Sequence, residues 1–181
     1  MKGENRLKLT EEKIFSRKSL NIKCVFISHQ KDDAPICRKI ADYLINAGID
    51  IYFDEYDEDL KFYRQNNNPK NVVDSIKKGI NKSSHMLCVF SSNTLYSKWV
   101  PWEIGYGYDK TNLSALTLKG IPDAQLPEYL KTVPIIRGTK TLNEYISKIE
   151  RKDQYRMFSE GLLLKNNESS HPLDNYLDWN L

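Results

Sequence analysis

The chain is poor in cysteine, with Cys24, Cys37 and Cys88 as its three thiols among 181 residues. Their odd number and the lack of any C-x-x-C spacing do not fit a closed disulfide framework, so reduced, packed thiols are expected. Long apolar runs are missing too: none approaches the roughly 18–20 residues that a membrane span needs, and Met1 to Arg6 is charged rather than signal-like. A cytoplasmic protein with no membrane partner is expected. Charge of one sign is equally scarce, since Lys+Arg 27 against Asp+Glu 24 gives a formal +3. That surplus is too small to indicate nucleic acid without a basic stripe on one face. No internal repeat or low-complexity tract occurs.

Several chemistries are excluded by missing patterns. His29, His85 and His171 are isolated, with no H-E-x-x-H and no group of His, Cys and acid at ligand spacing, so no metal is expected. No G-x-S-x-G sets up a nucleophile elbow. Gly105 and Gly107 lack the third glycine of a dinucleotide fingerprint and follow a carboxylate-bearing turn, so they form no phosphate loop.

What remains is a composition with 40% hydrophobic and 28% charged residues, enough for one core and too unbiased for disorder. Cys24-Val25-Phe26-Ile27, ended by Ser28-His29-Gln30-Lys31, reads as a buried strand finishing in a loop. Asp32 or Asp33 is placed to cap a helix with Pro35 in its first turn and Ile36, Ile40, Ala41 and Leu44 on one face. Gly48 stops that helix, and Ile49 to Phe53 is a second strand. It runs into the acidic Asp54 to Asp59, and Lys61 to Pro69 then reads as a long exposed loop. Val72, Val73, Ile76 and Ile80 predict the next helix, and Met86 to Phe90 a third strand ending in Ser91-Ser92-Asn93. Ser114 to Ile121 and Val133 to Ile136 predict two more strands. Leu142, Tyr145, Ile146 and Ile149 predict a helix over about 141–151. Such alternation implies an α/β, flavodoxin-like three-layer sandwich around a five-stranded parallel sheet. Residues 1–20 read as an arm or short helix. Leu173, Tyr176, Leu177, Trp179 and Leu181 in the tail are expected to dock on the chain's own surface rather than on a partner.

In such a sheet, ligands bind beyond the carboxyl ends of the strands, where the strand order reverses. That rule selects Ser28, His29, Gln30, Asp54 and Ser91. Polar ligand contact and plain solvent exposure fit His29 equally well. After the third strand, Ser97 is a fair N-cap for a helix on which Trp99 and Glu103, four positions apart, share a face. An indole beside a carboxylate can hold a ribose. Core packing with a solvated first-turn acid is the simpler reading of the spacing alone. The two helical glycines, each costing about 1 kcal/mol against alanine, call for compensation, and close approach to the sheet is the simplest.

Three boxes occur in order: Val25-Phe26-Ile27-Ser28-His29, Ile51-Tyr52-Phe53-Asp54-Glu55, and Ser97-Lys98-Trp99-Val100-Pro101-Trp102-Glu103. Together they resemble the Toll/interleukin-1 receptor (TIR) domain over about residues 21–151, leaving 1–20 as an N-terminal arm and 152–181 as a C-terminal extension. The resemblance implies one of two functions, signalling by TIR–TIR assembly or NAD+ cleavage by members sharing a W-x-x-x-E motif. Trp99 and Glu103 match that motif. By resemblance, Glu103 is the catalytic glutamate and Trp99 lines the pocket, while Ser28, His29, Gln30 and Asp54 fall at substrate-facing strand ends. NAD+ is then a substrate, with no cofactor, and a helix N-terminus is expected to help keep Glu103 ionised. Departures are His29 where the family often has Tyr, Gln30-Lys31 in place of a more basic pair, and Asn66-Asn67-Asn68 without the usual Pro-Gly turn. A chain of this size resembles the stand-alone antiphage TIR proteins of Thoeris-type bacterial systems. That implies a cyclic ADP-ribose-type product passed to a separate effector protein. A non-catalytic TIR scaffold and a nucleoside deoxyribosyltransferase-like enzyme are the alternatives.

Overall fold

The computed structural model describes residues 1–165 and 171–178. Its strands are β1 (Cys24–Ser28), β2 (Asp50–Tyr52), β3 (His85–Phe90), β4 (Asn112–Thr117) and β5 (Ile135–Ile136). They form one parallel sheet in the order β2-β1-β3-β4-β5, the expected five-stranded α/β architecture. The helices are α1 (Glu11–Ser19), α2 (Ala34–Asn46), α3 (Glu58–Gln65), α4 (Pro69–Asn81), α5 (Val100–Gly107), α6 (Thr139–Glu150) and α7 (Gln154–Ser159). No helix among the described residues is long and apolar enough to cross a membrane.

Side-chain alternation along the strands feeds two cores. Val25, Ile27, Leu87 and Val89 meet α2 and α6 on one face, while Cys24, Phe26, Met86 and Cys88 meet α4 and α5 on the other. Burial on both faces is why β1 and β3 read as unbroken apolar runs. The thiols of Cys24, Cys37 and Cys88 are free and buried, and burial pushes Cys24 up to about 12. Gly79 on α4 lets the helix lie against the sheet, because a Cβ there would stand 2.5 Å from the Tyr52 ring.

The long loop expected over Lys61 to Pro69 is not formed. Residues 58–65 are α3, and Pro69 already opens α4. Asp57 caps α3 by accepting from the Leu60 amide at 2.9 Å, Glu58 and Asp59 favour its N-terminus, and Leu60 anchors it in the core. With a single buried residue in eight, the helix carries almost no periodic signal. The cap expected for α2 also differs. Asp33 stands at the N-cap but makes no capping bond, because its carboxylate accepts from Ser91 Oγ at 2.5 Å and Asn93 Nδ2 at 2.7 Å. Pro35, inside the first turn, has no N–H to cap.

The N-terminal segment and the described residues beyond α7 are tied to the domain. Asp50, fully buried at the start of β2, accepts from Arg6 Nε at 2.8 Å and Arg17 Nη2 at 2.6 Å, and Arg17 also reaches Glu4 at 2.7 Å. Beyond α7, Leu163, Leu173 and Leu177 are buried in the α2–α6 core, and Thr139 N donates to Asp178 O at 2.9 Å. Residues 166–170 and the aromatic and apolar ends Trp179 and Leu181 lie outside the described residues.

Candidate active site

The strand order reverses between β1 and β3, on whose registered ends Ser28 pairs with Cys88. Ser28 follows Cys24 and Phe26 onto the α5 face. There its hydroxyl donates to Glu103 Oε2 at 2.6 Å, tying the sheet to the first turn of α5. Ser28 is 1% exposed and Glu103 4%. Ser97 holds the start of α5, its Oγ accepting from the amides of Val100 at 3.1 Å and Trp99 at 3.3 Å. Trp99 occupies the N-cap position, half-buried, its ring edge-on to Trp102 at 6.3 Å. The helix can pack this closely because Gly107 faces Met86, whose Sδ would stand 2.4 Å from a Cβ. Close approach therefore accounts for Gly107. It does not account for Gly105, which has open space around it.

Burial dominates the electrostatics. It pushes the Glu103 carboxyl up to about 7, and the nearby charge of Asp54 adds to the rise. The Ser28 hydroxyl and the Arg64 guanidinium pull the other way without winning. The expectation that the helix N-terminus keeps Glu103 ionised is thus corrected: desolvation of a closed carboxylate outweighs a helix end worth roughly 0.3–1 kcal/mol.

The remaining expected residues divide. Asp54 stands in the turn after β2, with Arg64 of α3 at 3.8 Å, close enough to Glu103 for its charge to be felt there. His29 is half-buried beside the Phe53 ring, 4.9 Å between centroids, its Nδ1 3.3 Å from Ile27 O. Gln30 accepts from the Asp32 amide and so shapes the turn into α2. Ser91 is bonded to Asp33 rather than to Glu103, tying β3 to the α2 side of the sheet. Arg64 is the residue that sequence reasoning missed, since the stretch around it reads as a loop. His85, at the other end of β3, is held by Ser84 Oγ at 2.9 Å and pushed down to about 4 by burial. Its place is structural. Buried His171 packs on Tyr43 at 5.0 Å, away from the sheet's switch point. Among the described residues, no three His, Cys, Asp or Glu side chains are grouped to hold a metal ion.

What this arrangement offers chemically is a desolvated carboxylate held by a hydroxyl, with a second carboxylate and an indole nearby. Such a group stabilises a positive charge developing on a sugar ring. No curated protein matches the chain. A family model described as the TIR domain matches residues 25–151, which takes in the five strands but for Cys24 and every residue of the site. The chain belongs to the TIR domain family.

Proposed function

We propose that the protein is an NAD+-processing enzyme that cleaves the bond between nicotinamide and ribose, with Glu103 as its catalytic carboxylate. The observation that carries this reading is the buried Ser28–Glu103 pair at the reversal of strand order, where α/β sheets take their ligands. The C1′–N bond breaks with its electron pair leaving on the nicotinamide nitrogen, and the ribose becomes an oxocarbenium-like cation. Ionised Glu103 stabilises that cation and accepts from the ribose hydroxyls, an effect commonly worth a few kcal/mol. Trp99 walls the ribose, and Asp54, His29 and Gln30 border the same strand ends. Capture of the cation by water gives ADP-ribose and a proton. Capture by an adenine nitrogen or a ribose hydroxyl of the same molecule gives a cyclic ADP-ribose-type product instead. The second outcome suits a signalling role in antiphage defence of the Thoeris type, in which the nucleotide activates a separate effector protein.

Glu103 is 4% exposed, so substrate reaches it only when the segments above it part. That closure, together with exposed Leu95 and Tyr96 in the turn after β3, favours a second reading in which the domain works by self-association without catalysis. Mass spectrometry of NAD+ incubated with the concentrated protein and with Glu103→Gln separates the two. Nicotinamide released by the wild type and lost in the variant is the expected result. Intact NAD+ in both, with biological activity retained by Glu103→Gln, favours assembly, and base exchange on nucleosides with NAD+ untouched points to a transferase.

A further inference from the structure

The N-terminal edge of the sheet, opposite Glu103, gathers positive charge around a cavity of about 280 Å³. Its lining contributes Arg6, Lys18, Lys23 and Lys82 with the hydroxyls of Ser83 and Ser84, and no carboxylate among the described residues. Two of the cations are balanced from outside the cavity, Arg6 by Asp50 at 2.8 Å and Lys82 by Glu11. Lys18 and Lys23 form no ion pair among the described residues, and Lys23 Nζ donates only to Asn21 Oδ1 at 2.7 Å. The C-termini of α1 and α4 attract cations to their last carbonyls. That accounts for Lys18 and Lys82, whose charges Glu11 also faces, but not for Lys23 on the segment entering β1.

The walls are held in place. The Arg6 guanidinium, 2% exposed, donates to Ile22 O at 2.8 Å and Lys82 O at 3.0 Å, pinning the exit of α1 to the end of α4. Ser83 Oγ donates to Gly79 O at 2.9 Å, fixing the turn between α4 and β3. A site framed this way loses little freedom when an anion enters. A second cavity of about 270 Å³ shares Asn21, Ile22 and Lys23 with the first and adds Leu20, Ile149, Arg151 and Lys152; its one carboxylate, Glu150, is paired with Lys152 at 3.1 Å.

We infer that these joined cavities are a binding site for a phosphorylated small molecule of nucleotide size. Its phosphates sit between Lys18 and Lys23, and its less polar part lies along Leu20 and Ile149. The two lysines supply charge-assisted bonds to phosphate oxygens. The site is separate from Glu103 and stands whether or not that residue is catalytic.

The test is titration of the ¹⁵N-labelled full chain with inorganic pyrophosphate, and in parallel with ADP and adenosine, at low salt. Pyrophosphate and ADP are expected to shift the amides of Asn21 to Lys23 and of Lys82 to Ser84, and ADP also those of Leu20 and Ile149, while adenosine alone leaves all of these in place. Lys18→Gln/Lys23→Gln weakens pyrophosphate at least about tenfold, each single variant carries part of the loss, and Glu103→Gln binds as the wild type does. Neither lysine makes an ion pair, so the variants lose at most the helix-end contribution of Lys18 and the Lys23–Asn21 bond and melt as folded proteins within a few degrees of the wild type. Three results overturn the inference: no shift at millimolar pyrophosphate, undiminished binding by the double variant, or pyrophosphate shifts confined to Ser28 and Glu103.

Discussion

Replacing Glu103 by Gln should stabilise the protein in a way that depends on pH, and the size of the effect follows from burial. In the folded chain the carboxyl titrates near 7, against 4.5 for a free glutamate. Between those values the native state keeps a proton that the unfolded chain has released, so stability falls as pH rises through the window and levels off above it. Each unit of difference is worth about 1.4 kcal/mol, so the penalty reaches about 3 kcal/mol at pH 8 and stays below about 1 kcal/mol at pH 5. Glutamine keeps the shape, accepts the Ser28 hydrogen bond and does not titrate. The variant should therefore match the wild type closely at pH 5 and exceed it by about 3 kcal/mol at pH 8, or roughly 6–12 °C in Tm for a chain of this length. Urea denaturation of both proteins at the two pH values gives the comparison, and groups common to both cancel. A difference of equal size at pH 5 and pH 8 would refute the claim that desolvation governs this carboxyl.

Two further substitutions probe what surrounds it. Arg64→Gln and Ser28→Ala each remove a group that favours the ionised form, so the ¹³C titration of the Glu103 carboxyl should move to higher pH in both; an unmoved midpoint would show that neither is coupled to it. Asp50→Ala leaves Arg6 and Arg17 buried without their shared carboxylate and should cost about 3–5 kcal/mol, read by denaturation, whereas a loss under about 1 kcal/mol would remove the anchoring role given to the N-terminal segment.

The parts of this molecule legible in the sequence are those whose cause is local. β1 and β3 show as apolar runs because both faces of the sheet are covered, and α2, α4 and α6 show through helical spacing of residues that enter the two cores. α3 was hidden because only Leu60 is buried within it, and its Asp57 cap is lost in an acidic run. Asp33 has the chemistry of a cap, yet its carboxylate turns to a serine and an asparagine about 60 positions away, contacts that spacing does not encode. The same holds at the candidate site. Glu103 and Trp99 stand out by spacing and resemblance, but the Ser28 bond spans 75 positions and Arg64 approaches only through the packing of α3. The ionisation of Glu103 is hidden for the same reason, since a helix N-terminus is visible in sequence and the depth of burial is not.

Whether Glu103 performs chemistry at a sugar C1′ is measured most directly by nicotinamide release from NAD+ by wild type and Glu103→Gln at pH 6 and pH 8. The wild type should release nicotinamide, faster at pH 8 as the carboxylate ionises, and the variant, folded and more stable at that pH, should release none. Equal release from both proteins, or a rate indifferent to pH across the range in which Glu103 titrates, would contradict that role.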